Sequence, residues 1–317
     1  MQIPLGGLLL ACLLTGGEQS GTAQLDPSKD VTVFHNLRYR EGPSKQWVLD
    51  LAIPKVAEGK PKPLIVVIHG GGWLEGDKSS FASRQYGVPG NIVDFAALGF
   101  VAATINYRLS AEAPYPAALE DCRSAIRWLH VHAGEYHIDP KLMGAYGNSA
   151  GGHLALLLGM PAKKETREVD GPHKEQSSRV QAVVSDSGPL DLLGQYQQNR
   201  LRQVVGQFMG GPPEGARVEA YRQASPLHQI AADLPPLMLI YGGADEQVPV
   251  ESADQFVAAL GRAGLKDLTY HRLAFVDHCP HSLVRIPNMQ TAVNEFFVRT
   301  LMHPETAQQI QRRPPTR

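Results

Sequence analysis

The sequence predicts an α/β fold in which helices cover both faces of a mostly parallel β-sheet. Short apolar segments rich in β-branched residues, such as residues 63–68, have the composition of strands buried on both faces. These segments alternate with segments of helical periodicity, and such alternation is typical of parallel sheets. The chain has 317 residues, 43% of them hydrophobic, which is enough for the core that such a sheet requires.

The predicted elements begin with two strands, residues 31–37 and 46–53, joined by a turn at Glu41-Gly42-Pro43 and therefore expected to pair antiparallel. Alternating units follow. We predict further strands at residues 64–68, 100–105, 143–146, 180–185, 237–241 and 268–273. We predict helices at residues 92–98, 117–132, 150–157, 252–263 and 291–301. Residues 162–178 are polar and predict a surface loop, and residues 190–229 carry mixed helical pieces that include 201–208.

A Gly-x-Ser-x-Gly pattern at residues 147–151 is the strongest indication of chemistry. It lies between the strand-like residues 142–146 and the helix-forming residues 154–158. A serine on a sharp strand-to-helix turn exposes its hydroxyl above the sheet, and small neighbours allow the chain to pack closely around it. The following helix directs its positive N-terminal end toward developing negative charge. Ser149 is therefore the predicted nucleophile.

A glycine-rich loop at residues 69–73 follows the predicted strand 64–68. Three consecutive glycines let backbone N–H groups face a ligand, as in the loop that forms an oxyanion hole together with the residue after the nucleophile. We predict this role for Gly70, Gly71 and Ala150. His69 is expected to support the loop, and Trp73 to line the substrate pocket, with simple packing as the alternative.

The acid and base should follow the serine in that order along the chain. Asp245 follows the predicted strand 237–241 after Gly242-Gly243-Ala244, at the strand end where ligand-facing groups of open α/β sheets collect. Glu246 and Glu251 are the rival acids, but Glu251 is more simply an acid in the first turn of a helix. Among the histidines, His271 lies inside a predicted strand. His278 and His281 both remain possible bases.

Several motifs together resemble the α/β-hydrolases of the bifunctional feruloyl and acetyl-xylan esterase type, which are related to hormone-sensitive-lipase-like esterases. The matching segments are residues 69–73, 76–78, 106–109, 114–117, 138–140, 147–155, 224–227 and 242–249. The resemblance implies an α/β-hydrolase fold with a small lid-like insertion at residues 190–229. It also favours His281 as the base, with His278 as the alternative, because the catalytic histidine of such families commonly precedes a small and then a large apolar residue, as in His281-Ser282-Leu283. The chain departs from the usual pattern at Asn148, where relatives have Asp, and at Leu283, where an aromatic residue is common.

The resemblance implies a serine esterase that acts on short-chain, acetyl-type esters, with carbohydrate as the expected carrier. The alternatives are a general small-ester carboxylesterase and an arylformamidase-like amide hydrolase. A peptidase of the prolyl-oligopeptidase type is disfavoured, since fewer than 150 residues precede Ser149. A catalytically inactive hydrolase fold that serves as a binding module is the non-enzymatic alternative.

The composition limits the classes of binding partner that we expect. A net charge of −1 offers no electrostatic basis for binding nucleic acid or an anionic membrane, so a small-molecule or polysaccharide ester is the expected partner. The mechanism requires no metal or organic cofactor. The cluster of His278, Cys279 and His281 has no second ligand pair at a matching spacing, so we expect no zinc site. Nor does a pairing of Cys122 with Cys279 follow from two cysteines alone.

Residues 1–23 resemble a signal peptide. The apolar run at residues 5–14 precedes Gly21-Thr22-Ala23, a pattern like a signal-peptidase site before Gln24. We therefore expect a periplasmic or secreted protein, with a lipid anchor at Cys12 as the alternative. The run is too short to remain as a membrane span. Residues 24–302 are expected to form the α/β-hydrolase domain, and residues 303–317 a disordered tail.

Overall fold

The computed structural model describes residues 25–55, 59–161, 171–198, 200–231 and 233–305. They contain a single eight-stranded sheet with the strands, in chain order, β1 Val31–Arg38, β2 Val48–Pro54, β3 Lys62–Ile68, β4 Val101–Ile105, β5 Ile138–Asn148, β6 Ala182–Asp186, β7 Leu237–Gly242 and β8 Leu268–Leu273. The spatial order is β1-β2-β4-β3-β5-β6-β7-β8. β2 runs antiparallel to β1 and β4, and every other neighbouring pair is parallel. The predicted mostly parallel sheet is therefore confirmed.

Helices pack on both faces of this sheet. They are α1 Pro27–Asp30, α2 Ile92–Ala97, α3 Ala117–Val131, α4 Ala150–Gly159, α5 Leu192–Gln197, α6 Arg202–Phe208, α7 Arg217–Gln223, α8 Val250–Arg262 and α9 Met289–Phe297. The core divides into two clusters of buried residues: α3, α4 and α8 contribute to one, and α2 and α9 to the other. The core is divided because successive side chains of a strand point to opposite faces of the sheet. In β3, Leu64, Val66 and Ile68 belong to the first cluster, whereas Ile65 and Val67 belong to the second.

Most predicted elements are present, with shifted ends. β5 begins at Ile138 rather than at residue 143, because Lys62 at the start of β3 pairs with Ile138 before a register shift. α9 ends at Phe297, and one π-helical turn, Val298–Met302, completes the segment predicted as a single helix. The insertion at 190–229 consists of the short helices α5, α6 and α7 and a 3₁₀ turn at Pro226–His228.

Three predictions concern residues that lie wholly or partly outside the described ranges. The signal peptide at 1–23 lies wholly outside. Only 171–178 of the predicted surface loop and 303–305 of the predicted tail are described. Within the described part of the chain, no helix is both long enough and apolar enough to cross a membrane.

Candidate active site

Ser149 lies at the turn between β5 and α4, in the strand–turn–helix arrangement that the sequence predicts. Its backbone angles are φ +51° and ψ −122°, which are strained for a residue with a side chain. Close packing explains the flanking glycines. A Cβ on Gly151 would lie 2.0 Å from the carbonyl oxygen of Ile68, and one on Gly147 would lie 2.3 Å from backbone atoms of Gly151. Only glycine fits at either position, so the turn holds the serine hydroxyl above the carboxyl ends of the strands.

His278 connects Ser149 to Asp245. Its Nε2 lies 2.9 Å from Ser149 Oγ, and its Nδ1 lies 2.6 Å from Asp245 Oδ2. Because the carboxylate is an acceptor, Nδ1 carries the proton and Nε2 is free to accept the serine proton. Asp245 is held in turn by the backbone N–H groups of Gln247 and Val248, each 2.8 Å from its Oδ1. Serine, histidine and acid thus form one hydrogen-bonded line.

The structure does not bring His281 to Ser149, so the choice of His281 over His278 is corrected. The Nδ1 atom of His281 lies 2.9 Å from the Tyr146 hydroxyl, and its Nε2 lies 3.1 Å from Gln290 Oε1. Cys279, which lies between the two histidines in the chain, has a φ of +55°. Burial lowers the pKa of His281 below its usual value. His281 is therefore a buried residue that supports the loop behind His278.

The glycine loop passes directly beside the nucleophile. A Cβ on Gly70 would lie 3.2 Å from the Cβ of Ser149, and Gly71 has a φ of +101° that favours glycine. Gly70, Gly71 and Ala150 line one cleft together with Ser149 and His278. The structure thus brings the three predicted oxyanion-hole residues to the nucleophile.

His69 and Tyr107 hold the start of the glycine loop in place. The Tyr107 hydroxyl donates to the carbonyl of His69 at 3.0 Å, and the two rings stack with their centroids 4.4 Å apart. The Nδ1 of His69 lies 2.8 Å from the carbonyl oxygen of Gly70, so Nδ1–H donates to it. Burial lowers the pKa of His69 and keeps the ring neutral. These contacts give His69 the supporting position predicted from the sequence.

Trp73 packs and lines the cleft at the same time. Its ring is buried and stacks on Phe208 of α6, with centroids 4.3 Å apart, and it meets the edge of His153 of α4 at 5.2 Å. The indole therefore joins the glycine loop to the insertion. It also belongs to the wall of the cleft.

The cleft above Ser149 has a volume of about 750 Å³. Its apolar lining includes residues that the sequence did not single out: Leu74, Phe81, Val88, Pro189, Leu201, Val204 and Val248. Glu75, Ser80, Asn148 and Gln247 add polar groups. Leu201 and Val204 come from the insertion, which the structure places over the glycine loop. Their three-residue spacing was the signal in the sequence, but it does not reveal which surface the helix covers.

Cys279 follows His278 directly but is not suited to nucleophilic chemistry. Its side chain is fully buried, and burial raises the pKa of the thiol well above its usual value. Cys279 and Cys122 are both free thiols. In the described ranges, no three His, Cys, Asp or Glu side chains are grouped so that they could hold a metal ion.

Comparisons with known proteins identify the family of the chain. The chain matches the model of the BD-FAE family over residues 49–260. It is 31% identical over 239 residues to the probable carboxylic ester hydrolase LipM of Mycobacterium tuberculosis, an alignment that covers 74% of this chain and 54% of LipM. It spans between 54% and 59% of the length of LipM and of the esterases LipC and LipQ from the same organism.

Solved structures show the same fold. A truncated carbohydrate esterase from gut microbiota superposes with a TM-score of 0.74 at 24% identity, covering 88% of this chain and 99% of that one. Esterase Est2 of Thermogutta terrifontis superposes with a TM-score of 0.66 at 28% identity, covering 86% and 92%. Structures of Est2 with bound propionate or butyrate match as well. The chain therefore belongs to the BD-FAE family and has the α/β-hydrolase fold.

Proposed function

We propose that this protein is a serine esterase that hydrolyses short-chain carboxylic esters through an acyl-enzyme at Ser149. The observation that carries the proposal is the hydrogen-bonded line from Ser149 Oγ through His278 to Asp245, with distances of 2.9 and 2.6 Å. A serine is a weak nucleophile until a neighbouring base accepts its proton, and this arrangement provides that base. The membership in the BD-FAE family supports the same activity.

The two halves of the reaction use the same residues. His278 Nε2 accepts the Ser149 proton as Oγ bonds to the ester carbonyl carbon, and Asp245 stabilises the imidazolium that forms. The protonated His278 then donates that proton to the departing alcohol oxygen as the carbon–oxygen bond breaks. Water next attacks the acyl-enzyme, with His278 again as base, and releases the acid and free Ser149. The acid–base steps thus need only one histidine.

The glycine loop completes the site in this proposal. The backbone N–H groups of Gly70, Gly71 and Ala150 would donate to the oxyanion of the tetrahedral intermediate. Two observations support these donors: Gly70 lies close to Ser149, and Ala150 is the first residue of α4. One such donor typically stabilises the transition state by about 3–4 kcal/mol.

For the substrate, we propose an acetyl-type ester carried on a carbohydrate. The largely apolar cleft suits an uncharged acyl group, and Glu75, Asn148 and Gln247 offer hydrogen bonds to hydroxyl groups beside it. The short acids bound in Est2 structures, which are 27% identical to this chain, support a small acyl group. The resemblance of the sequence motifs to those of feruloyl and acetyl-xylan esterases favours a plant or algal polysaccharide as the carrier.

A substrate panel tests this function. Purified protein is assayed on p-nitrophenyl acetate, butyrate and octanoate, on acetylated xylan, on methyl ferulate and on an N-formyl arylamine. We expect turnover of p-nitrophenyl acetate and release of acetate from xylan, with octanoate much slower. Preference for the formamide would instead identify an arylformamidase-like amide hydrolase. No turnover of any ester would favour the inactive binding module.

We also propose that the protein is exported, on the basis of the apolar run at residues 5–14 and the small residues that follow. N-terminal sequencing of protein from the native cell should find a chain that begins near Gln24, or at a lipidated Cys12 under the alternative. An intact Met1 on protein recovered from the cytosol would contradict export and would leave the esterase proposal unaffected.

A further inference from the structure

Asp186 is a fully buried acid at the carboxyl end of β6, next to the active site but outside the lining of the cleft. Its carboxylate receives three hydrogen bonds from the loop that follows His278. The N–H of His281 donates to Oδ1 at 3.2 Å. The N–H and the hydroxyl of Ser282 donate to Oδ2 at 2.8 and 2.7 Å. The side chain thus binds the loop that carries the base.

The same residue also binds the nucleophile. The backbone N–H of Ser149 donates to the carbonyl oxygen of Asp186 at 2.7 Å. The next residue extends this contact, because the hydroxyl of Ser187 accepts from the N–H of Cys279 at 3.0 Å. The end of β6 is therefore bonded on one side to the serine turn and on the other side to the histidine loop.

The burial of Asp186 makes this attachment specific. A buried carboxylate is costly unless its oxygens are satisfied, and burial raises the pKa of Asp186. In the part of the chain that the structure describes, no Lys or Arg forms an ion pair with it. The hydrogen bonds from His281 and Ser282, and the nearness of the His281 ring, oppose the increase in pKa. The loop must keep its place for these donors to reach the carboxylate.

We propose that Asp186 is a positioning residue, which sets the distance between Ser149 and His278 by holding the backbone of both. This inference rests on the proposed function, because it assigns His278 as the base. Asp186 acts through His278 and does not contact the substrate. Displacement of a catalytic group by about 1 Å can reduce the rate about 100-fold, so such an anchor affects turnover.

The test is the variant Asp186→Asn. Asparagine has nearly the same volume, but in either orientation its amide N–H₂ group faces at least one N–H donor of the loop. We expect kcat on p-nitrophenyl acetate to decrease about 10- to 100-fold, with KM changed less than about threefold, because the position of the base is altered and binding is not. The far-downfield proton resonance of His278 Nδ1–H, bonded to Asp245, should shift or broaden in the same variant.

The matched control is Asp267→Asn. Asp267 is also buried and forms a bidentate ion pair with Arg299 at 2.7 and 2.8 Å, but it lies just before the amino end of β8, at the end of the parallel strands opposite to Asp186. This variant should lose thermal stability and keep the wild-type kcat and proton resonance. Equal kcat values for the two variants would show that Asp186 has only a structural role and would overturn the proposal.

If Asp186→Asn does not fold, the variant Ser282→Ala tests the positioning role instead. It removes one of the three donors and leaves the backbone contacts intact. We expect a smaller decrease in kcat with KM unchanged, and a wild-type kcat would overturn the proposal. The proton resonance does not depend on turnover, so it distinguishes a failure of the positioning role from a failure of the esterase function. An inactive wild-type protein whose resonance still changes in these variants would refute the esterase function and support the positioning role.

Discussion

Val204 of α6 lies directly against Gly72 of the glycine loop. Its Cγ1 is 3.0 Å from the position that a Cβ on Gly72 would occupy. Gly72 has a φ of +61°, so both its conformation and its surroundings favour glycine. The insertion is therefore packed onto the loop that would hold the oxyanion, and Val204 limits the space above it.

The first prediction follows from this contact. Val204→Ala removes two methyl groups from the wall of the cleft. Because a hydrophobic pocket excludes extra methylenes by shape, we expect the ratio of kcat/KM for p-nitrophenyl hexanoate over the acetate to increase about tenfold. Val257→Ala in α8 is the matched control, since Val257 packs on the core away from the cleft and should leave the ratio unchanged. An unchanged ratio in Val204→Ala would contradict this role.

The second prediction concerns His281. His281→Ala removes the contacts of the ring to Tyr146 and Gln290. The buried Tyr146 hydroxyl then loses this partner, whereas Gln290 Oε1 still accepts from the N–H of Gly90. We expect a loss of about 1–3 kcal/mol in the free energy of unfolding, which urea titration measures. Activity should survive at a reduced level, because the ring does not contact Ser149. Complete loss of activity in a folded variant would restore His281 as the base.

The third prediction concerns the pH dependence of stability. Burial lowers the pKa of His153 to about 4, against 6.5 for the unperturbed side chain. As the pH falls from 6.5 toward 4, the unfolded chain gains a proton that the folded chain does not bind. The free energy of unfolding should therefore decrease, by on the order of 3 kcal/mol for this one residue. His69 and His281 have pKa values shifted in the same direction by burial and should add to the decrease.

The variant His153→Gln tests whether His153 causes this pH dependence of stability. Its amide can still donate to the carbonyl of Ala224, which lies 2.6 Å from His153 Nε2, but it cannot titrate. Unfolding free energies at pH 4.5, 5.5 and 7.5 should change less with pH in the variant than in the wild type. Equal pH dependence in both proteins would show that His153 does not contribute.

The features of the fold and the site that could be predicted from the sequence are those that nearby residues in the chain determine. The turn at Ser149 was predictable, because Gly147 and Gly151 are required by contacts that any such turn makes. β3 was predictable from its composition, since both of its faces are buried. These features depend on residues close together in the chain, or on a whole strand being buried.

The remaining features depend on contacts between distant residues. The pattern around His281 fitted the base, but its ring reaches Tyr146, which lies 135 residues earlier in the chain. The His278 ring instead contacts Asp245 and Ser149, which lie 33 and 129 residues earlier in the chain. Asp186, like Asp245, follows a strand that the sequence predicts. Only the folded loop shows that Asp186 anchors the backbone whereas Asp245 contacts His278.

The most direct test of the account compares kcat/KM on p-nitrophenyl acetate for the wild type, Ser149→Ala, His278→Ala and His281→Ala, each shown to be folded by circular dichroism. We expect Ser149→Ala and His278→Ala each to lose activity by several orders of magnitude, because Oγ is the covalent centre and His278 its base. His281→Ala should retain far more activity than either. More than about a tenth of the wild-type rate in Ser149→Ala, or a more active His278→Ala than His281→Ala, would contradict the account.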